Sequence, residues 1–98
     1  MAITKQYLKS KPICKVTFTV PADEASEVSV VGSFNGWDAK AGSLKKLKNG
    51  NFKGTIDVEK DADYEFRYLV DGAYINEAEA DAYAWNDFAA AENSVLKV

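Results

Sequence analysis

Cys14, Val16, Phe18 and Val20 alternate with Lys15, Thr17 and Thr19, and the same period of two returns across residues 52–58 and 64–70. A period of two sends successive side chains to opposite faces of a strand, so each run carries one apolar face that another layer must cover. Pro21 ends the first run, because proline cannot donate to a ladder. Residues 28–34 form a second apolar run, closed by Asn35-Gly36, two residues that tolerate positive φ. Residues 44–48 and 52–58 flank Asn49-Gly50-Asn51, a strong hairpin signal, with Phe52, Gly54, Ile56 and Val58 sharing one face. Asp71-Gly72 turns the 64–70 run into a short strand at Tyr74-Ile75. Residues 76–93 are acidic and alanine-rich, interrupted by Asp, Asn and aromatic residues, and read as a loop with at most one turn of helix. Residues 94–98 close the chain as a strand. About seven short strands with turn signals every 8–12 residues or so, and no convincing helix, predict an all-β, two-layer sandwich of immunoglobulin-like type. The cysteine pair of antibody domains is absent.

A chain of 98 residues with 47% hydrophobic side chains has room for one core and not for two. The expected organisation is one sandwich domain over residues 1–98, with 1–12 as a loose N-terminal segment. A formal charge of -3 gives no field to attract phosphate backbones or anionic lipid, so nucleic acid and membrane are not expected partners. Lysines crowd the first half and acids the second, and in a sandwich both halves share the surface, so these charges are expected to mix. Cys14, the only cysteine, forms no internal disulfide and reads as a small buried hydrophobe. No apolar stretch approaches membrane-spanning length and the opening residues lack a secretory apolar core, so the expected location is cytoplasmic.

The chain contains no histidine, which removes the commonest general base, the commonest metal ligand and every Ser/His or Cys/His pairing. Glu77, Glu79, Asp81 and Asp87 could in principle supply a glycosidase carboxylate pair, but a small sandwich rarely offers the deep cleft that raises one member's pKa. They read as a solvated acidic loop. Calcium-loop spacing, a phosphate-binding loop and a dinucleotide fingerprint are all missing. No enzyme activity, metal or cofactor is therefore expected.

The remaining signal is aromatic. Phe18, Phe34, Phe52, Phe66, Tyr64 and Tyr68 fall at core positions, whereas Trp37, Tyr74, Tyr83 and Trp85 fall at turns. A flat ring exposed beside a strand offers sugar C–H groups an apolar surface, while amides and a guanidinium satisfy the hydroxyls. Alternation puts Arg67, the only arginine, opposite Phe66 and Tyr68 and therefore on the outer face.

The run Val31-Gly32-Ser33-Phe34-Asn35-Gly36-Trp37-Asp38, then Tyr64-Glu65-Phe66-Arg67-Tyr68-Leu69-Val70-Asp71-Gly72, then Glu92-Asn93-Ser94-Val95, resembles carbohydrate-binding module family 48. That family includes the glycogen-binding domain of AMP-activated protein kinase β subunits and the early-set domain that precedes isoamylases and branching enzymes. The likeness spans about residues 13–98, and three ordered motifs make it specific. It implies an early-set, immunoglobulin-like sandwich that is non-catalytic and binds α-1,4-linked glucans such as glycogen, starch or maltooligosaccharides.

Carried over residue by residue, the resemblance implies Trp37 as first sugar platform, Arg67 where the kinase-associated domains use lysine, Tyr74 where they use a second tryptophan, and Asn93 as an amide that bonds sugar hydroxyls. Tyr74 offers less stacking area than tryptophan, and Trp85, unusual at its position, is a candidate to add a platform. The loop at residues 88–93 departs from the family by three alanines and an extra residue. Structural alternatives stand beside each role: Trp37 folded over the sandwich edge, Arg67 paired with an acidic neighbour, Tyr83 and Trp85 pinning the loop to the sheet, and Asn93 capping a turn. The competing function is a protein-interaction or scaffold domain of the same fold, docking on a glucan-active enzyme or on a second copy without holding sugar.

Overall fold

The computed structural model describes residues 2–87 and 91–98. Among these the chain forms β1 (Ala2–Tyr7), β2 (Ile13–Pro21), β3 (Val28–Gly32), β4 (Lys45–Lys46), β5 (Asn51–Glu59), β6 (Asp63–Val70), β7 (Ala73–Ile75), β8 (Ala82–Asn86) and β9 (Ala91–Lys97), and no helix. Two antiparallel sheets result, one ordered β1-β2-β5-β4 and the other β3-β6-β9-β8, with β7 also paired to β6. The all-β sandwich expected from the alternation is present.

The faces that alternation assigns to the core are the faces that meet. Cys14, Val16, Phe18 and Val20 of β2 pack with Val28 and Val30 of β3, Phe66 and Tyr68 of β6, and Leu96 of β9. The Phe18 ring lies 5.4 Å from Phe66 and 6.1 Å from Tyr68, centroid to centroid, so one side chain stitches the layers together. Burying a ring of this size stabilises by about 1.5–3 kcal/mol before entropy is charged. Cys14 is a buried free thiol, as its place in the period requires.

Four expectations need correction. The segment 1–12 is not uniformly loose: β1 pairs with β2 from Ala2↔Thr19 to Tyr7↔Cys14. Its period is hidden because Lys5, register partner of buried Val16, occupies a core-side position. The lysine stem covers the sandwich edge while Nζ reaches the Asp81 carboxylate and the Lys97 carbonyl, each at 2.7 Å. Residues 76–93 are not one long loop, since β8 pairs with β9 from Ala82↔Val95 to Asn86↔Ala91. Alanine's small apolar area and helix preference mask an alternation of Ala82, Ala84 and Asn86 against Tyr83 and Trp85, which only the ladder with β9 reveals. Nine strands therefore stand among the described residues where about seven were expected. The charges also mix less than expected: between Asp61 and Val98 the only bases are Arg67 and Lys97, so acids concentrate on the β3-β6-β9-β8 layer.

β4 is shorter than the 44–48 run because the chain first pairs elsewhere. Residues 42–44 run along the free edge of β3, with Val30 N donating to Gly42 O at 2.8 Å and Leu44 N to Val28 O at 2.9 Å. A Cβ at Gly42 would overlap the Val30 carbonyl oxygen, a backbone atom that cannot swing aside. Gly42→Ala is expected to cost about 3 kcal/mol, as a clash at a paired edge. The drop in urea midpoint at unchanged slope is the check.

The Lys5–Asp81 pair gives the fold a pH dependence of known sign. Burial pushes the Asp81 carboxyl up, but the Lys5 hydrogen bond, the Lys97 backbone N–H and the charges of both lysines together hold it below its ordinary range. A carboxylate depressed on folding adds stability above its unfolded value, and that stability drains away as pH falls through the folded value. Thermal melts of the wild type should therefore weaken below about pH 4. Asp81→Asn should flatten that part of the profile and leave the acid limb less steep.

Candidate functional site

The site begins where β3 ends. Gly36 and Trp37 both adopt left-handed backbone, with φ of 65° and 61°. For a bulky residue such as Trp37 this costs on the order of 1–3 kcal/mol and persists only when neighbours over-determine it. Asn35 does so. Its Oδ1 accepts from Gly32 N at 3.1 Å, its Nδ2 donates to Val30 O at 3.0 Å, and Trp37 N donates to Gly32 O at 2.9 Å. Phe34 turns inward, its ring 6.0 Å from Phe18 and 6.1 Å from Tyr64. With Phe34 anchored inside and Asn35 clamping the turn, Trp37 is left 42% exposed on the outside.

Arg67 stands at a seam. The edge of β6 pairs with β9 as far as Phe66↔Ser94 and with β7 from Tyr68↔Ile75 onward, so Arg67 falls where one neighbour gives way to the other. On the outer face its Nε donates to Asn93 Oδ1 at 2.6 Å, and its guanidinium carbon lies 5.9 Å from the Tyr74 ring centroid. Asn93 Nδ2 in turn donates to Glu65 Oε1 at 3.2 Å. Arg67 Nη2 is buried and has no hydrogen-bond partner among the described residues. The fork is thus fixed by an amide on one side and a ring on the other, with donors to spare.

The core side of the same seam is closed by Glu77. Its side chain, fully buried, accepts from the Tyr68 hydroxyl at 3.0 Å and from Glu79 N at 3.1 Å. Its backbone N donates to Ser94 Oγ at 2.9 Å, and its carbonyl accepts from the Tyr83 hydroxyl. Burial, the Glu77 charge and the hydrogen bond to Glu77 all push the Tyr68 hydroxyl well above its ordinary range, which keeps it a neutral donor. This corrects the reading of residues 77–87 as a wholly solvated acidic loop. Glu77 is a core carboxylate, Asp81 is an ion-pair partner, and Asp87 accepts from Trp85 Nε1 at 2.6 Å.

Trp37 and Trp85 line one open depression of about 390 Å³, together with Ser33, Glu65, Asn86, Asp87 and Asn93. Trp85 is 62% exposed and rides on a strand, so it does not pin a loop to the sheet. Ser33 joins the Trp37 turn to β6, its N donating to Glu65 O at 2.9 Å and its Oγ accepting from Glu65 N at 3.2 Å. The structure therefore gathers Trp37 and Asn93 around the depression, brings Trp85 to its rim from the β8 face that Tyr83 shares and not from the Ala84–Asn93 face, and holds Arg67 and Tyr74 beside it through Asn93. Asn93 is only 2% exposed, with its amide engaged by Arg67 and Glu65, so it positions the fork more than it presents itself. Tyr83, by contrast, spends its hydroxyl on Glu77 O. The departure expected at residues 88–93 falls in part on residues 88–90, outside those described.

Sequence reasoning gave no place at the site to Glu65, to Asp87, read as part of an acidic loop, or to Asn35, read as turn chemistry. Glu65 was detectable in principle, since it shares Arg67's outward parity; Asp87 and Asn35 depend on turns that only coordinates fix. Among the described residues no three His, Cys, Asp or Glu side chains gather to hold a metal ion.

A two-layer sandwich that presents rings and a fixed fork along one outer face is the build of a sugar-binding module. The chain belongs to carbohydrate-binding module family 48, the isoamylase N-terminal domain family, whose model matches residues 6–84. Trp37, Arg67 and Tyr74 lie inside the matched stretch; Trp85 and Asn93 lie beyond it. Among curated proteins it is similar to the 1,4-alpha-glucan branching enzyme GlgB of Butyrivibrio fibrisolvens, 53% identical over 34 residues, 35% of this chain and 5% of that enzyme. It is also similar to GlgB of Photobacterium profundum, 39% identical over 57 residues, 57% of this chain and 8% of that enzyme. The chain thus matches less than a tenth of the length of either relative.

Proposed function

We propose that the chain is a non-catalytic α-glucan-binding module that holds glycogen- or starch-type chains on the outer face of the β3-β6-β9-β8 sheet. Two exposed indoles, Trp37 and Trp85, lining one depression carry this reading. Stacking on each is worth on the order of 1–3 kcal/mol by analogy with base–aromatic stacking. Arg67, held by Asn93 and Tyr74, supplies hydroxyl recognition, and Tyr74, 61% exposed, extends the strip along β7. From Glu65 to the Tyr74 register partner Leu69 the strip runs about 13 Å along β6, which suits an extended polymer better than a single sugar. Membership of the family and likeness to branching enzymes support a glucan over other glycans. Electrophoresis through gels with and without glycogen tests the reading: retardation is expected with glycogen. Equal mobility, with a partner protein recovered by pull-down, would select the docking alternative.

A further inference from the structure

The depression beside the Trp37 turn has a one-sided charge. Among the described residues its titratable lining is Glu65 and Asp87, with no base. Arg67 stands beside the depression and not in its lining, bonded through Nε to the lining residue Asn93 and set against the Tyr74 ring. A carboxylate accepts hydrogen bonds and never donates them when ionised, so the ligand must bring donors to these two groups. A neutral glucan does so with its hydroxyls. A phosphate ester brings acceptors and negative charge, and meets two carboxylates over low-dielectric indole faces. We propose, resting on the glucan reading above, that Glu65 and Asp87 are specificity-determining residues that admit neutral α-glucan and exclude phosphate-bearing glucan.

Geometry allows the two charges to be removed without dismantling the site. Asp87 holds Trp85 Nε1 through Oδ1, and Glu65 holds Asn93 Nδ2 through Oε1. An amide oxygen still accepts each of these bonds, though more weakly than an ionised carboxylate, so Glu65→Gln and Asp87→Asn keep an acceptor in place and lose the charge. The test titrates tryptophan fluorescence with maltoheptaose and with maltoheptaose carrying a phosphate monoester at O6. At about 20 mM salt the phosphorylated sugar should bind roughly tenfold more weakly, and at about 0.5 M salt the gap should close as screening removes the repulsion. In the double variant the ratio of the two affinities should fall towards one at low salt. Equal affinities in the wild type, or a gap that survives unchanged in the double variant, would overturn the proposal while leaving glucan binding intact. Failure of both sugars to bind would remove the glucan reading, and this one with it.

Discussion

Trp37→Ala is expected to abolish retardation in glycogen gels and to weaken maltoheptaose binding about 10- to 100-fold, the range that one lost stacking platform implies. The loss should be a binding effect and not unfolding. The indole is 42% exposed and alanine inherits the same left-handed backbone, so stability should fall by about 1–2 kcal/mol, too little to unfold the domain. Trp37→Phe, which keeps a smaller ring on the same turn, should fall between the two. Tyr7→Ala is the control, because Tyr7 is at least as exposed, at 52% against 42%, but sits on β1 in the opposite sheet. Loss of retention in that control would mean that retention does not depend on the Trp37 face in particular and that the Trp37 turn has no special place.

What the chain displays to a reader of residues alone is its set of long alternating runs. β2 buries every second residue and β5 and β6 bury or half-bury theirs against the opposite layer, so their period survives intact in the sequence. β1 and β8 do not, because both are edge strands. At an edge a lysine stem can replace an aliphatic chain, as Lys5 does, and alanine can fill a position with little apolar area, as Ala82 and Ala84 do. The site divides in the same way. Trp37 and Arg67 were legible from turn chemistry and strand parity. The burial of Asn93 and the arrival of Trp85 beside Trp37 depend on β8 joining β9, a long-range pairing that no local pattern announces.

Glu77→Ala is expected to be the most destabilising single change considered, at about 3–5 kcal/mol. It leaves the Tyr68 hydroxyl and the Glu79 amide without acceptors and opens a void at a fully buried position. For a domain of this size that corresponds to a fall in Tm of more than about 10 °C. Glu77→Gln keeps one carbonyl oxygen and loses the second acceptor, so a smaller loss of about 1–2 kcal/mol is expected. The same seam carries Tyr74 on one flank and Trp85 on the other, so sugar affinity should decline with Glu77→Gln even where the protein remains folded. Matching melts of Glu77→Ala and wild type would show that the carboxylate is not the keystone of the seam.

The most direct measurement follows each indole separately. Trp85→Phe leaves Trp37 as the only tryptophan and Trp37→Phe leaves Trp85, so maltoheptaose titration of the two proteins reports on each side of the depression. The fluorescence of both is expected to change and saturate with sugar, more weakly than in the wild type because each variant has exchanged one platform for a smaller ring. Emission from both indoles that stays unmoved at saturating sugar would contradict a shared glucan shelf on this face.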